Sequence, residues 1–345
     1  MREVFDKLNL KEVGENEYRL TSFDADYNGE DRNRIHRFFA TPLIEPDDIK
    51  RPDGDTTFFT TAGVQHLETM NRGGASFENC AFSVYQPCVR SQYMKDVKEG
   101  TSTSFVNFSS VRLDGGEQDF IAQTNAFIGV LAANGVAPED IRFILAENVP
   151  STWQSKQFSS NNLTLCVNDV EIGESIWVKD FPLTDNKHTS LMEVGLGVER
   201  LDWALGHTPY YFPAFREVYE AHKDHHPDEV CSLIDSLRTS TLIIGSGVVP
   251  TPKDHGYRAR KLIKKFNDTN NGLLDADRLV DISYDEWKAK GARHKLPKDA
   301  VQYIVKKEIE RLNQLKHLKN PCAQNYDNTE MKNLLARYLG NEGGK

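Results

Sequence analysis

The chain has 345 residues, 39% hydrophobic and 10% aromatic, enough for a sizeable core in one large domain or two. Its 51 acidic against 42 basic residues leave a formal net charge of −9, which excludes a non-specific nucleic-acid coat but leaves room for a local basic surface. The five cysteines (Cys80, Cys88, Cys166, Cys231 and Cys322) are odd in number and include no Cys-x-x-Cys pair, against a disulfide framework or structural zinc.

The start has no apolar run like that of a signal peptide, and no stretch of about 18 apolar residues occurs. A cytoplasmic protein without a membrane span is expected. Residues 1–34 read as an appended N-terminal segment with one strand near Tyr18–Thr21 and no chemistry. Ile35–Phe39 is a short helix or strand, Pro42–Asp55 a turn, Thr56–Gly63 a β-rich run and Val64–Met70 a short helix. Phe82–Val89 and Thr103–Leu113 then form a hairpin, with Arg90 at the end of its first strand and Lys95 and Lys98 in its loop. Arginine there could grip a phosphate, or the hairpin could simply be solvated.

Phe120, Ile121, Ala126, Phe127, Val130 and Leu131 fall at helical spacings within 117–135, and Gly135 is a good stop. Strands follow at Arg142–Glu147, Leu163–Asn168 and Glu171–Val178. Alternation puts Glu171, Gly173 and Ser175 on one face and Glu174 on the other. Glu171 would need a cation or amine on an inner face, or would be exposed on an edge strand.

The stretch from Glu193 to Arg200 reads Glu-Val-Gly-Leu-Gly-Val-Glu-Arg. Gly195 and Gly197 permit close backbone approach, and Arg200 at the mouth of the helix that follows suits a polyphosphate; a Gly-x-Gly packing turn is the alternative. His222, His225 and His226 suggest either a metal site or an exposed helix end. Helices are expected at Cys231–Ile244 and His255–Phe266. Across 236–265, Arg238, Lys253, Arg258, Arg260, Lys261, Lys264 and Lys265 stand against Asp254 alone, a surface for a polyanion or a solvated face. Amphipathic helices complete the chain, the clearest at Asp299–His317.

In this order the pieces resemble a family. Phe58-Phe-Thr-Thr-Ala-Gly63 resembles motif 1 of the class II alanyl-tRNA synthetases, Gln86-Pro-Cys-Val-Arg90 the start of motif 2, and Glu193–Arg200 motif 3. Gly247-Val-Val-Pro250 with Gly256–Lys265 resembles their tRNA-facing helical segment. The resemblance covers about 35–265. It implies an α+β fold: a six-stranded antiparallel sheet flanked by helices in a catalytic domain at 35–206, then a helical domain at 207–345.

It also implies ATP-dependent adenylation of an amino acid and transfer to a tRNA 3′ end. Arg90 would hold the α-phosphate, Phe105 would stack on adenine, and Arg200 would bind the far phosphates beside Gly195 and Gly197. Glu193 would face the substrate amino group, Glu171 would stand near Mg²⁺, and Arg258, Arg260, Lys261, Lys264 and Lys265 would face tRNA. Two departures stand out. A motif 2 glutamate is Val106, and the family's Glu-Ile-Trp-Asn is Glu171-Ile-Gly-Glu174, removing a pocket wall at Gly173 unless Trp177 fills it. No editing domain has a counterpart. A carrier protein or small metabolite as acceptor, or a non-catalytic tRNA- or partner-binding role, are the alternatives; the oligomeric state stays open.

Overall fold

The computed structural model describes residues 4–25, 34–53, 55, 57–95, 97, 100–183, 187–206, 212–316 and 329–339. The fold is α+β, and the chain divides into two compact units. The first comprises Met1–Pro46, Ala62–Gln86 and Val106–His207; the second comprises Asp47–Thr61, Pro87–Phe105 and Thr208–Lys345.

The first unit is built on a sheet of eight strands: β1 (Leu10–Gly14), β2 (Glu17–Leu20), β3 (Ala81–Val89), β4 (Ser104–Leu113), β5 (Ile141–Trp153), β6 (Lys156–Val167), β7 (Val170–Pro182) and β8 (His188–Gly197). Their order is β1-β2-β5-β6-β7-β8-β4-β3, two strands more than the resemblance implies. The pairings from β1 through β4 are antiparallel. The extra strands are the N-terminal ones: β2 pairs β5, and Phe5, Leu8, Tyr18 and Leu20 join the main core. The described part of this N-terminal segment thus supplies two strands at a sheet edge and apolar side chains to the main core.

Helix α1 (His66–Arg72) and helix α2 (Glu117–Ala133) belong to two separate cores. Phe120, Phe127 and Leu131 of α2 are fully buried with Phe143, Leu165 and Val194 of the sheet. Each such side chain contributes about 1.5–3 kcal/mol by leaving water. Gly135, with φ +77°, ends α2 as its left-handed stop. The smaller core joins Leu67 of α1 to Phe82, Val84 and Val111. Glu193 to Gly197 is not a turn but the end of β8, and the helix behind it, α3, is Val198–Ala204.

The long β5–β6 hairpin turns through Gln154 and Ser155, both at positive φ (47° and 69°), the geometry of the tight hairpin turn that favours Asn-Gly. Of the β-rich run expected at Thr56–Gly63, Thr56 lies outside the described residues, and Phe59 makes a single bridge to Lys50.

The second unit is helical: α4 (Arg216–Ala221), α5 (Pro227–Gly245), α6 (Asp254–Thr269), α7 (Ala276–Ala289), α8 (Lys298–Lys316) and α9 (Thr329–Leu339). Its centre is Arg238 on α5, fully buried rather than part of a basic surface. The guanidinium lies between the rings of Phe212 (4.6 Å) and Trp287 (4.0 Å) and donates to Glu286 at 2.7 and 3.2 Å. Nearby on α5, Asp235 accepts the Thr103 hydroxyl at 2.6 Å and its N–H at 2.9 Å. Cys80, Cys88, Cys166 and Cys231 are buried and outside any disulfide; Cys322 lies outside the described residues. No described helix is long and apolar enough to cross a membrane.

Two outcomes follow from these cores. Phe120→Ala should cost about 3–5 kcal/mol of stability in chemical denaturation, because Phe120 also stacks on Trp177 at 5.4 Å. Burial would raise the Glu286 carboxyl, but Arg238 and Lys290 hold it down at about 2. A depressed acid stabilises the fold above its unfolded value and loses that contribution as pH falls through its folded value. About 3 kcal/mol should therefore disappear between pH 4.5 and 2. Asp235, raised by burial, opposes this in sign. Denaturation at stepped pH should show a flatter acid limb in Glu286→Gln than in the parent.

Candidate functional site

Register decides which side chains share a face of the sheet. Asn107 lies opposite Gly197, Ser109 opposite Gly195 and Val111 opposite Glu193; on the other side of β8, Glu174 lies opposite Gly195 and Ile176 opposite Glu193. Directly paired residues project to the same side. Asn107, Ser109, Glu193, Gly195 and Glu174 therefore stand on one face. Ser175 turns to the other, where its hydroxyl meets Thr124 of α2 at 2.8 Å.

Glu193 is 8% exposed, and a carboxylate so buried needs donors. Ser109 Oγ lies 2.9 Å from Glu193 Oε1 and 2.8 Å from Asn107 Oδ1. Its one proton serves one acceptor at a time, and the carboxylate is the stronger. Asn107 Oδ1 also accepts the Gly63 N–H at 2.8 Å, while Nδ2 donates to the Leu196 carbonyl at 3.1 Å. The side-chain amide is thus fixed at both ends. Glycine at 63 is required by space: a Cβ there would lie 2.7 Å from Ser109 Cβ and Oγ. At Gly195, by contrast, a Cβ would have room, its nearest neighbours being Glu193 Oε1 at 3.5 Å and Asn107 Nδ2 at 3.8 Å. A methyl there would stand in ordinary van der Waals contact with these two polar groups.

Arg200 on α3 donates from Nε to the Glu171 carbonyl at 2.8 Å. Glu171 itself is exposed, at a bulge where Leu165 pairs Gly173 and Cys166 pairs Glu171. Gly173 is not a missing pocket wall. A Cβ there would sit 2.3 Å from the Gly195 carbonyl oxygen, so glycine serves the close approach of β7 to β8. Trp177 does not fill a gap on the site face either, since it stacks in the core on Phe120. Gly197 precedes α3 with an ordinary extended φ of −85°. Glu199, not singled out from sequence as a site residue, is buried and accepts the Val106 N–H at 2.8 Å.

In the second unit, Arg90 follows β3. Its Nε donates to the Thr61 carbonyl at 3.1 Å, and its guanidinium lies 4.9 Å over the Phe105 ring. Lys98 lies outside the described residues. Of the five cations expected to face tRNA, three are engaged within the unit. Arg260 pairs Glu308 at 3.5 Å, Lys264 pairs Asp268, and Lys265 donates to the Met94 carbonyl at 2.7 Å. Arg258 lies over the rings of Phe58 and Tyr257, and Lys261 is exposed. His226 caps α5, accepting the Asp228 N–H at 3.3 Å, and His222 Nδ1 lies 2.8 Å from the Val218 carbonyl, the helix-end reading. Among the described residues no group of three or more His, Cys, Asp or Glu gathers as metal ligands.

Gly173→Ala should lower stability by about 1–3 kcal/mol through overpacking at the β7–β8 contact, measured by chemical denaturation. A merely missing wall would accept the methyl without loss. No protein-family model matches the chain, and no curated protein matches it.

Proposed function

We propose that this chain activates an amino acid with ATP as the aminoacyl adenylate and transfers it to a tRNA 3′ end. The carrying observation is the buried network Gly63–Asn107–Ser109–Glu193, which links the first motif-like stretch to the third through Asn107 and Ser109 of β4. Glu193 would take the substrate's α-ammonium, a positive group for a carboxylate already oriented by Ser109.

The chemistry then requires no protein nucleophile. A substrate carboxylate oxygen attacks the α-phosphorus, the bond to the bridging oxygen breaks, and pyrophosphate leaves. Arg90 is assigned to the α-phosphate, Phe105 to the adenine and Arg200 to the far phosphates. Mg²⁺, when bound with ATP, supplies charge neutralisation on the phosphates; it keeps several waters and needs one or two carboxylates, for which exposed Glu171 fits. In the second step a ribose hydroxyl forms an ester with the acyl carbon, and AMP leaves.

A second reading keeps the adenylation and replaces tRNA by a carrier protein or small metabolite. It is favoured by the internal pairing of Arg260, Lys264 and Lys265, which narrows the basic surface of α6.

The test is amino-acid-dependent ATP–pyrophosphate exchange without tRNA, across the twenty standard amino acids and the diamino acids. Exchange with at least one is expected, and Arg200→Ala should abolish it. Undiminished exchange in that variant would remove Arg200 from the site; no exchange with any amino acid would overturn adenylation.

A further inference from the structure

We infer that Tyr257, Phe58 and Arg258 form a stacking platform for an unpaired nucleotide of an RNA partner, with Lys253 and Lys261 holding the phosphates on either side. The inference rests on the proposed reading of tRNA as acceptor, and it concerns the second unit alone.

Tyr257 and Phe58 are 43% and 40% exposed, large rings left facing solvent. Both flank one guanidinium: Arg258 Cζ lies 5.7 Å from the Phe58 ring centroid and 5.9 Å from that of Tyr257. Its Nε is buried and has no hydrogen-bond partner among the described residues, whereas Arg260, Lys264 and Lys265 are engaged elsewhere in the unit. Phe58 is also fixed in place. The Arg51 N–H donates to its carbonyl at 3.1 Å, and its ring meets the buried His255 ring edge-on at 5.1 Å. A platform ordered in advance costs little to order on binding.

Helix α6 supplies charge in register with the ring. Residues four apart share a helix face, so Lys253 and Lys261 flank Tyr257, each about 6 Å away along the axis. Both lysines are exposed. Asp254 is the only acid from 253 to 265. On the adjoining segment, Asp55 pairs Arg51 at 2.7 Å, and Asp53 lies 3.7 Å from His255 Nδ1.

Every base has a π face, so stacking on an aromatic ring tolerates any sequence, and cations beside the ring take the backbone phosphates. An apolar peptide would match the rings and leave the cations without anions. A duplex would match the cations and keep its base faces in its own stack. A single strand uses both.

The experiment measures binding of a short labelled single-stranded RNA, and of the same strand in a duplex, by fluorescence anisotropy across a range of salt. Tyr257→Ala should weaken the single strand at least tenfold, leave any duplex binding unchanged and leave the salt slope unchanged. Tyr257→Phe, which keeps the ring, should bind as the parent does. Lys261→Ala should lower the slope of log affinity against log salt by about 0.7, one phosphate of a single strand. No binding of the single strand, no loss in Tyr257→Ala, an equal loss for strand and duplex, or a Tyr257→Phe as weak as Tyr257→Ala overturns the platform. So does displacement of the RNA by polyglutamate at equal charge, which marks a charge surface only. ATP–pyrophosphate exchange in the same preparation needs no RNA, so the two readings fail separately. Exchange without single-strand binding removes the platform and leaves adenylation standing; Tyr257-dependent binding without exchange upholds the platform and removes adenylation.

Discussion

The carboxylate of Glu193 is the constraint around which the first unit is arranged. A nearly buried anion tolerates no slack in its donors, so Ser109 must lie within hydrogen-bond reach, and β4 must pair β8 in one register. Asn107 strengthens that choice by joining the Gly63 backbone on one side to the Leu196 carbonyl on the other. A slip of one residue would send Ser109 into the α2 core and Phe108 toward the polar face. The same sheet is therefore specified twice, by the larger apolar core on one side and by a small polar lattice beside the smaller core on the other.

The second unit uses a different solution for buried charge. Arg238 is held by two aromatic faces and a carboxylate with two contacts, a geometry that suits a planar, weakly hydrated guanidinium and would not suit lysine. Trp287 also donates its indole N–H to the Arg238 carbonyl at 3.1 Å, so backbone and side chain of one residue are locked by the same helix, α7. The pair orders α5 against α7 rather than presenting charge to a ligand.

Much of this was legible in the chain, and the misses have physical causes. Apolar periodicity located α2, α5 and α6, and alternation located the β3–β4 hairpin, because these segments bury a regular face. The outer halves of β5 and β6 were missed: their burial is slight, and the turn between them is Gln-Ser, which lacks the usual glycine or asparagine signal. Strand β8 was hidden by its glycines, which read as a turn although the segment is paired on both sides. Arg238 looked like one more cation, since nothing local reveals that Glu286 lies opposite it. Alternation did separate Glu174 from Gly173 and Ser175, but only the pairing with β8 shows that Glu174 shares the face of Glu193 and Ser109.

The strand order has a kinetic consequence. Strands β5 to β8 form a continuous antiparallel meander whose neighbours are close in sequence, so their pairing requires only short loop closures. The β4–β8 pairing is of another kind, bringing Asn107 to Gly197 across most of the unit. Ser109 and Asn107 reach Glu193 only with that late, long-range closure. A chain that had paired only β5 to β8 would hold half of its strands and still lack the bonds that join Asn107 and Ser109 to the rest of this face.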